Sequence, residues 1–139
     1  MTTKQELEAF FKNEFPQADF VIEEAGNRAA TLRKQIEHAH LRPGGTVSGP
    51  TIMAMTDAAL YVAILAEIGL VALAVTTNLN ISFLRKPAAD KDLIVKCKLI
   101  KLGKTLAVGD VFVYSQGSDD PVAHAVGTYS IPKREQVQL

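Results

Sequence analysis

The chain has almost no cysteine. Cys97 is the only one in 139 residues, so no internal disulfide can form and nothing points to an oxidising compartment. There is no net charge either, since 15 acidic side chains balance 15 basic ones. A nucleic-acid binder needs a basic surplus or a basic face, so that class loses its usual electrostatic motive. The same balance leaves little self-repulsion to oppose association with further copies of the chain. The N-terminal stretch "MTTKQELEAFFKNEF" alternates charged and apolar residues and lacks the core of a signal peptide. The longest apolar run, Ala58 to Ala66, stops at Glu67, far short of the roughly 20 residues that a membrane span needs. Repeats, linkers and low-complexity stretches are missing as well. What remains is one soluble domain over residues 1–139, read as cytoplasmic, with 47% apolar residues to build its core.

The pattern along the chain is a short helix, two strands, one long helix and then strands alone. Thr3 and Glu6 make a candidate capping box for a helix over 3–14 that buries Leu7, Phe10 and Phe11. Asp19 to Gly26 reads as a strand, and Ala29 to Leu41 as a looser second one in which Lys34 interrupts the apolar face. "RPGG" breaks the segment. Ser48 is a good N-cap, Pro50 suits the first turn, and Gly69 marks a helix end. The helix between them, "GPTIMAMTDAALYVAILAEI", is apolar nearly all round, so it should be enclosed on several sides. Four strand signals follow, over 72–84, 92–102, 105–115 and 122–131, joined by short turns that force antiparallel pairing. A charged tail over 133–139 is expected to be loose. The fold class is α+β, one long central helix wrapped by a curved antiparallel sheet of about six strands.

One carboxylate, Asp57, stands in the middle of that apolar helix. It shares a face with Met53, Leu60, Tyr61 and Ile64, three, four or seven residues away. A carboxylate so placed is desolvated, which raises its basicity, and it is costly unless it meets a partner. Either it is a structural residue bonded to a Thr or Asn of a neighbouring chain, or it is a solvated residue on another face, or it lines a cleft at a subunit interface and does chemistry.

The blocks "RPGGTVSGPTIMAMTDAALYVAI" (42–64) and "VTTNLNISFLRKPA" (75–88), with their spacing, resemble the hotdog-fold thioesterase superfamily. The nearest likeness is to acyl-CoA thioesterases of the phenylacetic-acid-pathway type. The resemblance in topology runs from about residue 19 to residue 131. It implies a thioesterase whose helix opens on a His-Gly-Gly-like turn, with the acid nine residues after the His. Here Ser48 takes the place of that His, Gly49 that of the central glycine, and Asp57 that of the acid. Gly49 N–H is then implied to polarise the thioester carbonyl. Asp57 is implied as base or nucleophile, and Thr76 as the residue holding the attacking water. Arg42 falls near a position that is often Asn. The implied site lies between two subunits of a homo-oligomer, a dimer or a dimer of dimers, with no metal or other cofactor.

The residues are chemically suited to this. A helix N-terminus offers free N–H groups and a dipole to a developing oxyanion, and glycine lets a substrate approach the backbone. Substrate-binding candidates are Ser48, Arg42, Asn78 and Tyr61. Asn78 and Asn80 are expected to form a polar stripe with Thr76 on one strand face. Arg85 and Lys86, with Lys101 and Lys104, are candidates for the phosphates of coenzyme A. His38 and His40 would share a strand face, but no acid or Cys pair beside them completes a metal site. Asp110 is a candidate for a bond across an interface, and His124 and Cys97 read as packed residues. "GGTVSG" lacks the Lys-Ser/Thr ending of a P-loop. Two rival readings keep the fold. One is a non-catalytic module that binds acyl-CoA or a related ligand, motivated by Ser48 and Arg42. The other is an enoyl-thioester hydratase, whose His-bearing motif is absent.

Overall fold

A computed structural model describes residues 2–133. Helix α1 spans Lys4–Glu14, and its N-cap Thr3 forms the expected capping box with Glu6. Strand β1 is Val21–Gly26, β2 is Ala29–Lys34, and the two-residue strands β3 (Leu41–Arg42) and β4 (Thr46–Val47) make a small hairpin around the Pro-Gly-Gly turn. Helix α2 runs Gly49–Ile68 between the N-cap Ser48 and the C-cap Gly69. Strands β5 (Val75–Phe83), β6 (Leu93–Leu102), β7 (Leu106–Ser115) and β8 (Ala123–Ser130) complete the molecule. Six strands form one antiparallel sheet in the order β1-β2-β6-β7-β8-β5. The tail expected to be loose lies, from residue 134 on, outside the described residues.

Three expectations need correction. The strand read over 29–41 ends at Lys34, and His38–His40 form a 3-10 turn, so the two histidines do not share a strand face. The strand read from residue 72 starts only at Val75, because Ala74 N–H turns back to Val71 C=O and Ala72 C=O is taken by the Tyr61 hydroxyl. Finally, α2 as a whole is long and apolar enough to cross a membrane by length and composition. Its apolarity has another cause here. The sheet wraps it, and Ile52, Met55, Ala59, Leu60 and the run Val62–Ala66 are buried. These side chains meet Leu32, Val95, Val111, Val113 and Ala125 from the sheet in one core.

Helix and sheet pack tightly at Leu60. Gly109 and Gly127 face each other across β7 and β8. A Cβ on Gly109 would stand 2.4 Å from Leu60 Cδ2, and one on Gly127 would stand 2.3 Å from Leu60 Cδ1. Leu60 is therefore a knob seated in a hole that exists only because both positions lack a side chain. Neither methyl can turn away from one glycine without moving toward the other.

Three bulges shape the sheet, one between Ile22 and Glu24 in β1, one between Leu99 and Lys101 in β6 and one between Thr76 and Asn78 in β5. The bulge in β5 reverses which face the following residues present. Thr76 reaches the helix, and so does Leu79, which lies beside the Leu60 seat. Asn78 and Asn80 are exposed, on the opposite face from Thr76, so the expected polar stripe does not form.

The glycine seat gives a direct test. Gly127→Ala is expected to cost about 1–3 kcal/mol by overpacking, read from denaturant unfolding. In the double variant with Leu60→Ala the two losses should fall short of their sum, since each removes the other's clash or void. Strict additivity would mean that Leu60 does not occupy the seat.

Candidate active site

Asp57 lies on α2 one turn before Leu60, at the edge of the buried surface. Two donors from the sheet reach it. Tyr129 Oη donates to Asp57 Oδ1 at 2.8 Å and also lies 3.2 Å from the Asp57 carbonyl. Thr76 Oγ1 donates to the same Oδ1 at 2.5 Å. The two donors are cross-strand partners in β5 and β8, so the sheet register sets them side by side. Asp57 Oδ2 accepts no hydrogen bond from any described residue. One oxygen is clamped and the other is open.

The phenol of the clamp holds its proton firmly. Burial, and then the Asp57 charge beside it, hold the Tyr129 phenol well above its usual range, so it stays a donor. Its ring stacks on Tyr61 at 5.9 Å between centroids. Tyr61 donates to Ala72 C=O at 2.9 Å, and its own burial raises its phenol. Phe10 and Phe11 of α1 meet the Tyr61 ring edge-on, which ties α1 to the site.

Two cavities open beside Asp57 and Tyr61. One, of about 370 Å³, runs under α1 between Phe11, Phe15, Phe20, Thr51, Met55 and Ala58, with Lys34 and His40 in its wall. The other, of about 590 Å³, lies toward Ala72, Val75, Thr76 and Tyr129. Asp57 stands where they meet.

The other residues singled out from the sequence fall in three places. Ser48 caps α2, accepting from Thr51 N–H at 3.3 Å, and Gly49 opens the helix with no acceptor for its N–H among the described residues. Neither lines the two cavities. Eight residues separate Gly49 from Asp57, about 12 Å along the axis, so the two groups of one chain cannot meet on one carbonyl. Arg42 is exposed on the β3–β4 hairpin and forms no ion pair among the described residues. Arg85 donates to Pro121 C=O at 2.8 Å, while Lys86 is exposed. Thr76 directs its proton at Asp57, and Asn78 faces away.

Elsewhere, His124 pairs with Asp110 on the outer face of the sheet, its ring tilted against Phe112. Burial, and secondly the Asp110 charge, push the buried Cys97 thiol up to about 12.

Sequence reasoning missed Tyr129, Lys34 and the aromatic wall from α1. Nothing local marks Tyr129, since its role follows from the pairing of β8 with β5. Lys34 did leave a signal, as the one charge that spoiled the inner face of β2.

A family model described as the thioesterase superfamily matches residues 44–122, more than half of the chain. A comparison with curated proteins finds no match. Among solved structures, a candidate thioesterase from Silicibacter sp. TM1040 is 45% identical, with 95% of this chain and 93% of that one covered and a TM-score of 0.87. A hypothetical thioesterase with coenzyme A from Streptococcus pneumoniae TIGR4 is 20% identical, with 91% and 97% covered and a TM-score of 0.77. A variant of the phenylacetic acid degradation protein PaaI from Thermus thermophilus is also 20% identical, with 89% and 99% covered and a TM-score of 0.74. The last two share the fold.

The clamp predicts a pH dependence of stability. Tyr129 keeps its proton to higher pH in the folded state than in the unfolded one. Its contribution is therefore fully present below the ordinary phenol value of about 10 and is lost as the pH rises above it. Melting temperatures should fall above about pH 10. Tyr129→Phe should flatten that fall and cost about 1–3 kcal/mol near neutrality, where the hydrogen bond to the carboxylate is lost.

Proposed function

Since the chain belongs to the thioesterase superfamily and carries its hotdog fold, we propose that it hydrolyses an acyl-coenzyme A thioester to the free acid and coenzyme A. The observation that carries this is the asymmetry of Asp57, with Oδ1 held by two donors and Oδ2 open where two cavities join. A carboxylate held in that way is positioned to act as a general base.

In the proposed step Asp57 Oδ2 takes a proton from water, and the water oxygen bonds to the thioester carbonyl carbon. The negative charge moves to the carbonyl oxygen, which Gly49 N–H stabilises at the positive end of α2. The C–S bond then breaks and the thiolate leaves with the electron pair. Direct attack by Oδ2, through an anhydride that water later hydrolyses, uses the same geometry. Thr76 and Tyr129 act as positioning residues, keeping the carboxylate aimed. The step calls on no cofactor beyond the thioester substrate and water.

On this reading, the distance of about 12 Å between Gly49 and Asp57 along α2 puts the two groups on different chains, each supplying one of them. The unpaired edge of β5 suits such an assembly. It exposes Val75 and Phe83, and Leu73 and Leu84 flank it with at least half their surface open. An exposed apolar edge of this kind is a pairing site. We assign the protein as a homodimer or a dimer of dimers that works in the cytoplasm. Ser48, Tyr61 and Asn78 are assigned to the substrate groove between subunits, with Arg42, Arg85 and Lys86 at the rim toward the coenzyme A phosphates. The coenzyme A bound to the Streptococcus pneumoniae relative supports that ligand class.

Free-thiol release from short, medium, long and aromatic acyl-CoAs tests the reading. Wild type should turn over at least one of them. Asp57→Asn should lose about 10²-fold or more in kcat while still binding the ester. Binding without release by the wild type would leave a ligand-binding module in place of a hydrolase.

A further inference from the structure

The cavity under α1 is lined mainly by rings and methyl groups, yet four polar side chains from outside α2 line it too: Gln17 and Asp19, which are exposed, and Lys34 and His40, which are half-buried. Lys34 comes from β2, and only 12% of its side chain is exposed. Its ammonium donates to Asp19 C=O at 2.6 Å. Its nearest carboxylate, on Asp19, is 3.9 Å away and 92% exposed, so it neutralises the ammonium weakly. An ammonium has three N–H donors, and this one has a single full bond among the described residues. His40 accepts from Glu37 N–H through Nδ1 at 2.9 Å. With Nδ1 accepting, the ring proton sits on Nε2, a second donor that has no partner among the described residues.

The cavity has a direction. Thr51 and Asp57 both line it and lie six residues apart, about 9 Å along α2. His40 is at the Thr51 end, because its carbonyl accepts from Ser48 N–H at the helix start. A thioester whose carbonyl sits at Asp57 thus sends its acyl chain past Met55 and the Phe11 and Phe20 rings toward His40. A plain alkyl chain filling this space would strip water from Lys34 and His40 and return no hydrogen bond. A chain ending in a carboxylate would satisfy both donors and pair the ammonium.

We propose, resting on the thioesterase reading above, that the preferred acyl group carries a terminal carboxylate, the half-thioester of a short dicarboxylic acid, recognised by Lys34 and His40. The aromatic walls hold the methylene stem. The charge at the far end is kept from the reacting carbonyl by the length of the cavity.

Adipoyl-CoA and hexanoyl-CoA have the same carbon count and differ only in the terminal group. Wild type should show kcat/KM for adipoyl-CoA at least about tenfold above that for hexanoyl-CoA. Lys34→Met keeps the stem and removes the charge, so it should erase that preference while hexanoyl-CoA turnover stays or rises. Lys34→Arg should restore most of it. Equal turnover of both esters by the wild type, or equal loss of both in Lys34→Met, would overturn the carboxylate proposal and leave the thioesterase reading intact. Release from neither ester, nor from any other acyl-CoA, would overturn both.

Discussion

The seat of Leu60 between Gly109 and Gly127 is the contact on which the site depends. It brings one helix against two strands at backbone range and fixes the helix both in depth and in rotation. Asp57 is one turn away from Leu60 on α2, about 4.5 Å along the axis. Tyr129 is two residues from Gly127 on β8, about 6.8 Å along the strand and on the same face. Seating Leu60 on Gly127 therefore carries Asp57 to Tyr129. Thr76 arrives by pairing with Tyr129 across β5. A side chain at either glycine would lift the helix and open the clamp, although neither glycine touches the carboxylate.

Much of this architecture is written locally in the chain. Ser48, Pro50 and Gly69 bound α2, and its lack of a polar stripe says that it is wrapped. The alternation Leu93, Val95, Cys97, Leu99 declares β6 with its inner face. These signals depend on a residue and its near neighbours, so a linear reading finds them. The bulge at Thr76 to Asn78 does not have that character. It inserts one residue against Tyr129, and every later side chain of β5 changes face. A regular strand would place Asn78 beside Thr76, and only the pairing with β8 shows otherwise. Tyr129 is hidden for the same reason, since its partner lies 72 residues away in the chain.

Lys34 illustrates a different limit. As a charge on the inner face of β2 it looks like a flaw in an apolar pattern. The chain accommodates it by turning its ammonium to the Asp19 carbonyl while the stem stays covered. The strand then ends, and the segment to His40 folds back as a short 3-10 turn. A residue that breaks a local rule without a nearby compensation is where function is to be sought. That holds for Asp57 as well as for Lys34, and both line the same cavity.

A carboxylate kept only for architecture would be expected to have both oxygens satisfied, because desolvating an unpaired lone pair costs free energy with no return. Asp57 departs from that expectation in a particular way. Two donors converge on one oxygen, which removes the rotational freedom of the group, and the second oxygen is left at the junction of two cavities. The donor proposed for the thioester carbonyl, Gly49 N–H, is not within reach in the same chain, since α2 itself separates Gly49 from Asp57 by more than two turns. The helix that is long enough to be wrapped by six strands is thus too long to hold both halves of the proposed chemistry. A second copy, entering along the open edge of β5 beside Thr76, is the simplest way to bring an N-terminal amide to Asp57. The burial that makes the fold, and the pairing that the proposed mechanism calls for, both follow from the length of one helix.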